Sequence, residues 1–451
     1  MMHKLLNNSH VSSSIALFES WVEHQRVAMD IPAISIGVIW DQELIWAKGF
    51  GFSDLSREIE ASPKTNFRIA SITKLFTASA IMQLQEQQKL NLEDSVSRHL
   101  PWFKLKGKDG ESSRIVIRHL LTHTAGLPRE AAFPYWTNFE FPSLDLLKDS
   151  ILNQEMIYPP HTRLKYSNLG YSLLGEIVTQ ASGYSYEDYV TRFILKPLEM
   201  NYTHIPLSSD SLAKGYSRRV PYGDRVERPF SECKALNAAA GFASNVLDLA
   251  KFVAAQFTDV VLSKASLEEM HRVQRVTPDW EKGIGVGFNF YREGNRILLG
   301  HAGWIAGYRS QLAIDLKEKV GVVAVTNCDE GAPWIFVRKA FQLVVSKILE
   351  LFQLQKQLFD FDPAWKSYLG KYRSSWSDSE VLVLDGELKL YTPEGIRPTE
   401  RIATLRLREE HTFVLESEDV GAPIGELVIF EFNGNGKVAR MKVGQNYSEK
   451  M

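Results

Sequence analysis

The sequence predicts an α/β (α+β) fold in two domains, on three observations. A strand hairpin opens the chain, strand texture returns at residues 295–327 after a long helical stretch, and from Tyr368 onward short strands follow at regular intervals. Strands on both sides of a helical insertion imply one sheet built from the two ends of a first domain, with a cleft between sheet and insertion. Short antiparallel strands at even spacing imply a small C-terminal β-barrel that closes on itself to hide its edges.

The elements follow in chain order. Residues 33–40 and 44–51 are apolar runs flanking Asp41-Gln42-Glu43, the pattern of a hairpin. Over residues 71–90, Ile72, Leu75, Phe76, Ala78, Ala80, Ile81 and Leu84 leave few polar faces, which predicts a buried central helix. From Glu86 to about Ser266 the chain alternates helical patches with loops rich in Pro, Asn, Gly and Tyr, without sustained two-residue alternation. Residues 296–300, 311–315 and 321–326 then read as successive strands, and Val337, Phe341, Val344, Ile348 and Leu351 mark a helix by their spacing. The polar stretch 353–363 separates an expected first domain, 1–355, from a second, 360–451. In the second, residues 381–391 alternate around Asp385-Gly386, a strong hairpin signal, and strands continue at 404–408, 412–416, 425–432 and 438–443.

Composition excludes several classes of function. The net charge is −2, with Lys/Arg and Asp/Glu mixed along the chain, so there is no basic field for nucleic acid. No run approaches the roughly 18 apolar residues of a membrane span, and the first residues lack the apolar core of a signal peptide. A cytoplasmic chain without membrane contact is expected. Cys233 and Cys328 are too few and too far apart for a zinc site or disulfide framework, so they read as isolated reduced thiols. No cofactor or metal is expected, and nothing in the sequence supports an oligomer.

The chemistry-bearing stretch is Arg68-Ile69-Ala70-Ser71-Ile72-Thr73-Lys74. At i,i+3 on a helix, Ser71 and Lys74 share a face, and a lysine whose pKa is lowered by burial can take the serine proton. On its own Ser-x-x-Lys usually means a capped helix with an exposed lysine. Here the apolar setting argues for burial, and a cation in the first turn opposes the helix dipole, a local conflict of the kind found at functional sites. Tyr166-Ser167-Asn168 places a phenol and an amide two residues apart in a loop. Gly300-His301-Ala302-Gly303-Trp304 sits at the end of one strand signal and before another, where glycine lets a ligand run along a strand edge. His119 and His123 have a metal-like spacing but lack a glutamate between them and run into Gly126-Leu127-Pro128, which favours a structural loop.

Taken in order, Ser-x-x-Lys, then Leu-Leu-x-His-Thr-x-Gly-Leu-Pro at 120–128, then Tyr-Ser-Asn, then His-x-Gly on a late strand, the chain resembles the β-lactamase superfamily of serine hydrolases. The resemblance is to its class C β-lactamase, low-molecular-mass penicillin-binding protein and esterase branch, and it covers about residues 15–350. The stretches 193–200 and 241–252 support it, and the region after 360 resembles the lipocalin-like β-domain of some members. The resemblance implies a β-lactamase-like antiparallel sheet flanked by helices with a helical subdomain. It implies Ser71 as nucleophile, Lys74 as a group that helps deprotonate it, Tyr166 as proton shuttle and Asn168 as a holder of the substrate framework. Either Lys74 or Tyr166 would be the acylation base. The backbone N–H groups of Ser71 and Trp304 would form the oxyanion hole, with His301 and Gly303 on the substrate-binding strand.

The departure from the family pattern is His301-Ala302-Gly303, where β-lactamases and carboxypeptidases usually carry Lys-Thr-Gly or Lys-Ser-Gly. A neutral imidazole and a methyl group remove a charge and a hydroxyl that bind a substrate carboxylate. This favours an esterase or a D-amino-acid amidase or peptidase acting on small esters, amides or short peptides. The alternatives are a β-lactamase or penicillin-binding D-Ala carboxypeptidase and, from another class, an inactive scaffold acting through its β-domain.

Overall fold

A computed structural model describes residues 9–105, 114–219, 223–358, 362–384, 386–392, 402–417 and 422–451. The chain divides into a large unit, residues 6–346, and a smaller one that holds residues 347–451.

The large unit is organised by eleven strands: β1 (Ala33–Trp40), β2 (Glu43–Asp54), β3 (Ile59–Glu60), β4 (Phe67–Arg68), β5 (Ala243–Ser244), β6 (Arg275–Val276), β7 (Lys282–Ile284), β8 (Asn289–Glu293), β9 (Arg296–Ile305), β10 (Tyr308–Asp315) and β11 (Val320–Thr326). Nine of them form one antiparallel sheet in the order β3-β2-β1-β11-β10-β9-β8-β7-β6, while β4 and β5 pair separately. The expected hairpin is β1–β2, and β1 also pairs with β11, with Val38 opposite Val322. The two ends of the unit therefore share one sheet, as the strand pattern predicts.

Strand β1 is almost continuously apolar because both of its faces are covered. A side chain on Gly37 would meet Val246, and one on Gly321 would meet Val253, so the helix Val246–Ala254 lies over the face these glycines share. Successive residues point to opposite faces, so Val38 and its partner Trp46 face the other way. There Trp46 packs against Phe18 and Trp21 against Phe336, joining the helices Ser9–Ala28 and Pro333–Ala340.

The central helix is Thr73–Glu86, entered through a 3-10 turn at Ala70–Ile72, and every residue from Thr73 to Leu84 is buried. Phe76 anchors it against Phe252 and Phe242, with ring centroids 4.4 and 5.6 Å apart. It stops four residues short of the expected Leu90. Gln88 turns left-handed at φ 57°, and the Lys89 N–H reaches back to the Leu84 carbonyl, a closure that satisfies the last carbonyls.

Strand β9 corrects the sequence reading. Gly300–Trp304 does not end a strand but continues it, held by β10 through Gln311–Ala302, Ser310–Gly303 and Arg309–Trp304 pairs.

The smaller unit contains a closed barrel of eight strands: β12 (Gly370–Arg373), β13 (Asp378–Leu384), β14 (Glu387–Tyr391), β15 (Ile402–Glu409), β16 (Thr412–Glu416), β17 (Leu427–Phe432), β18 (Val438–Val443) and β19 (Asn446–Lys450). The expected hairpin joins β13 to β14, with Gly386 at φ 73°; Asp385 lies outside the described residues. Tyr372, Phe413 and Phe430 fill the interior, and Tyr368 stacks on Phe430 with centroids 4.5 Å apart. Strands β12 and β19 escaped the sequence reading, and they are the pair that closes the ring. Among the described residues no helix is long and apolar enough to cross a membrane.

Candidate active site

Ser71 sits in the 3-10 turn that feeds the central helix, and Lys74 is the second residue of that helix. The preceding residue, Ala70, is held at φ 47°, a left-handed conformation that costs about 1–3 kcal/mol outside glycine and persists where its surroundings enforce it. The enforcement comes from β9 and β10. The Ser310 hydroxyl donates to the Ile69 carbonyl at 2.7 Å, and a side chain on Gly303 would lie 2.3 Å from that same carbonyl. Only glycine lets β9 pass so close to the turn that carries Ser71.

Lys74 is fully buried, and its Nζ has three oxygen neighbours: Ser71 Oγ at 3.1 Å, Asn168 Oδ1 at 2.8 Å and the Ala239 carbonyl at 2.8 Å. Burial drives its pKa far below the ordinary lysine range, reinforced by Arg129 and opposed by Glu130 and Cys233. A neutral amine has two N–H donors and one lone pair. The Ala239 carbonyl can only accept. The Asn168 amide is oriented by its Nδ2, which donates to Glu130 Oε1 at 2.7 Å, so its oxygen also accepts. In the neutral state those two acceptors would take both N–H groups and leave the lone pair for the Ser71 hydroxyl proton.

Asn168 opens the helix Asn168–Ser182, whose N-cap is Ser167, the hydroxyl accepting from the Gly170 N–H. That cap fixes Tyr166 just outside the helix. The Tyr166 ring lies 4.9 Å from Lys74 Nζ and 4.2 Å from the His123 ring, with Arg129 5.1 Å above it. Burial pushes its phenol above the ordinary tyrosine range, and the Ser71 hydroxyl pulls it partly back. Tyr166 is therefore a protonated donor at neutral pH.

From the sheet side come His301, Ala302, Gly303 and Trp304 of β9, which line a cleft of about 250 Å³ together with Ser71, Tyr166 and Asn168. All seven residues singled out from the sequence, Ser71, Lys74, Tyr166, Asn168, His301, Gly303 and Trp304, thus converge on one place. His301 is buried, and its Nδ1 lies 2.7 Å from the Ala302 carbonyl. Burial and the neighbouring Lys74 lower its pKa to about 3, so the ring is neutral. Trp304 is half-exposed, stacked on Trp136 at 5.4 Å with Arg309 above it at 5.2 Å. A second cavity of about 790 Å³ shares Tyr166, Asn289, His301 and Ala302 with the cleft.

Several residues of the site were not picked out beforehand. His123, read as part of a structural loop, is buried at φ 53° against Tyr166 and Tyr171 and accepts the Ser167 N–H on its Nδ1 at 3.2 Å. It supports the tyrosine, while His119 lies against His161. The turn that follows needs Gly126, at φ 72°, where a side chain would strike the Tyr158 carbonyl. Arg129 and Glu130 come directly after that turn, a signal available in the sequence. Trp136, Asn289 and Arg309 come from three separate segments and carry no local signal. Among the described residues no group of three or more His, Cys, Asp or Glu is gathered as metal ligands, and both cysteines are buried and free.

Comparison with known proteins finds relatives of this chain. Residues 18–343 match the family model described as Beta-lactamase. Protein flp of Staphylococcus aureus (strain NCTC 8325 / PS 47) is 27% identical over 311 residues, 68% of this chain and 61% of that protein. Beta-lactamase-like protein 2 of Dictyostelium discoideum is 27% identical over 328 residues, 70% of this chain and 59% of that protein. The chain thus spans about three fifths of the length of these curated relatives. Among solved structures, the octameric penicillin-binding protein homologue from Pyrococcus abyssi superposes with a TM-score of 0.64 at 26% identity, covering 96% of this chain and 99% of that one. D-amino acid amidase from Ochrobactrum anthropi SV3 shares the fold, with a TM-score of 0.62 at 24% identity over 77% of this chain and 100% of that one.

Proposed function

This chain belongs to the β-lactamase family, and we propose that it is a serine hydrolase working through an acyl-enzyme on Ser71, an esterase or a D-amino-acid amidase or peptidase on small substrates. The observation that carries this reading is the fully buried Lys74, its Nζ 3.1 Å from Ser71 Oγ and 2.8 Å from both the Asn168 Oδ1 and the Ala239 carbonyl. Lys74 takes the Ser71 proton as Oγ attacks the substrate carbonyl carbon. The resulting oxyanion lies against the N–H groups of Ser71 and Trp304, donors of a kind worth about 3 kcal/mol each in acyl transfer. Tyr166, whose phenol stays protonated, gives a proton to the departing alcohol or amine as the carbonyl bond to it breaks. It is then reprotonated from Lys74. Water attacks the acyl-enzyme in the second half and restores Ser71.

A β-lactamase or penicillin-binding activity is the second reading, and one observation favours it. His301 and Ala302 provide no cation for a carboxylate, yet Arg129 and Arg309 line the same cleft. The test is a panel of an acetate ester, a D-alanyl amide and a chromogenic cephalosporin against the wild type and Ser71→Ala. Turnover of the ester or amide, lost in Ser71→Ala, supports the first reading. Cephalosporin turnover or a long-lived adduct on Ser71 supports the second. Full activity in Ser71→Ala refutes both.

A further inference from the structure

Arg309 stands on β10 opposite Trp304, with its guanidinium 5.2 Å from the Trp304 ring, and it lines the cleft. Its Nε donates to the Asp329 carbonyl at 2.7 Å. Among the described residues neither Nη atom has a hydrogen-bond partner, and both are open to solvent. The neighbouring acids are engaged elsewhere. The Asp329 carboxylate accepts from Arg228 at 2.6 Å and from the Gly307 N–H at 2.7 Å, and Glu330 pairs with Arg225 at 2.7 Å. The other arginine of the cleft, Arg129, has Glu130 at 3.2 Å. Burial outweighs the pull of Asp329, Cys328 and Glu330 and lowers the Arg309 pKa from the ordinary arginine range, although a guanidinium stays charged at neutral pH. The half-buried Arg309 thus offers an unpaired, two-pronged cationic donor to whatever fills the cleft.

Its position decides which half of a substrate it meets. In the Ser71 reading, on which the inference rests, Tyr166 faces the leaving group while the Trp304 N–H holds the carbonyl oxygen. Arg129 lies over the Tyr166 ring, on the leaving-group side, and already has its carboxylate. Arg309 reaches the cleft over Trp304 instead, and it is the arginine without one. We infer that Arg309 is a specificity-determining residue, which selects substrates whose acyl half ends in a carboxylate, as in half-esters and half-amides of dicarboxylic acids. The two carboxylate oxygens accept from the two Nη groups, a pairing that fits the planar fork of arginine.

The test compares mono-p-nitrophenyl adipate and suberate with their methyl esters, by kcat/KM at neutral pH in the wild type, Arg309→Met, Arg309→Lys, Arg129→Met and Ser71→Ala. A second pair, 4-carboxyphenyl acetate and its methyl ester, carries the charge on the leaving group. The wild type is expected to prefer the acyl-side acid over its methyl ester by about ten- to a hundredfold at one of the two chain lengths, the size of one hydrogen bond to a charged group. In Arg309→Met this ratio should fall to one or below, and in Arg309→Lys part of it should survive. Each ratio is taken within one preparation, so it does not depend on how much of a variant folds. A wild-type ratio of one or less overturns the inference on the native protein. A ratio that persists in Arg309→Met and is lost in Arg129→Met also overturns it, as does a preference for charge on the leaving group alone. Undiminished hydrolysis of all the esters by Ser71→Ala would instead refute the nucleophile, whatever the ratio.

Discussion

The Asn168 Nδ2 donates to Glu130 Oε1 at 2.7 Å, and this bond turns the amide oxygen of Asn168 towards Lys74 Nζ, 2.8 Å away. Glu130 is itself fixed, since Tyr135 donates its hydroxyl to Oε2 and the Gln154 side chain holds the Glu130 carbonyl. A carboxylate therefore acts on Lys74 through an intervening amide. It decides which end of Asn168 faces the amine, and its charge opposes the burial that lowers the amine's pKa.

Replacing Glu130 by Gln should change both terms. Without an acceptor-only partner the Asn168 amide can flip and present N–H groups to Lys74, which lowers kcat by roughly tenfold, about one hydrogen bond in the transition state. The sign of the pH effect follows from charge. Glu130 raises the Lys74 pKa, so its removal lowers that pKa further, and the acid limb of the kcat/KM profile, where protonation silences the base, moves to lower pH. A pH–rate profile of Glu130→Gln checks this, and a limb moving to higher pH would contradict it.

Lys74→Arg tests the lone pair directly. Arginine keeps a cation near Ser71 but stays protonated and has no acceptor. Acylation should fall by about 10²–10⁴, the usual contribution of a general base. Single-turnover kinetics with an activated ester would register the loss in the acylation step. Near-normal acylation would transfer the role of base to Tyr166.

The first link of this site was legible because its members are close in sequence. Ser71 and Lys74 lie three residues apart at the mouth of an apolar helix, and Tyr166 and Asn168 lie in one tripeptide at a helix start. The rest depends on long-range closure. Ala239 reaches Lys74 across 165 residues, and Arg309 enters the cleft only because β10 pairs with β9. Glu130 closely follows the Gly126-Leu127-Pro128 turn, but nothing local in the sequence pairs it with Asn168, 38 residues away. The same divide holds for the fold. Apolar β1, β10 and β11 announce themselves, whereas β19, Asn446–Lys450, is polar and is a strand only because β12 and β18 flank it.

Gly303→Ala should damage geometry more than chemistry. The added carbon would lie 2.1 Å from Ser310 Oγ and 2.3 Å from the Ile69 carbonyl, too close for either to remain in place. Strand β9 must then move away from Ala70, taking the Trp304 N–H with it. A displacement of about 1 Å can cost on the order of 10²-fold in rate, and overpacking of this kind costs about 1–3 kcal/mol in stability. Parallel kcat and thermal-melt measurements check the prediction, and a variant with unchanged kcat would show that β9 does not need this close approach.

Trp304 permits backbone and side-chain roles to be separated. Its indole stacks on Trp136 at 5.4 Å, whereas its expected part in holding the oxyanion belongs to the backbone N–H. Trp136→Ala removes one half of the stacked wall and leaves that N–H in place. Stacking of this kind is worth about 0.5–1.5 kcal/mol. KM should therefore rise by roughly two- to tenfold while kcat changes less, the pattern of an interaction made equally in ground and transition states. Trp304→Ala should behave likewise, because alanine still supplies the N–H. If turnover by Trp304→Ala instead dropped by about a hundredfold, the loss expected of a misplaced reacting group, with KM unchanged, the indole itself would be what holds β9 in position against the turn that carries Ser71.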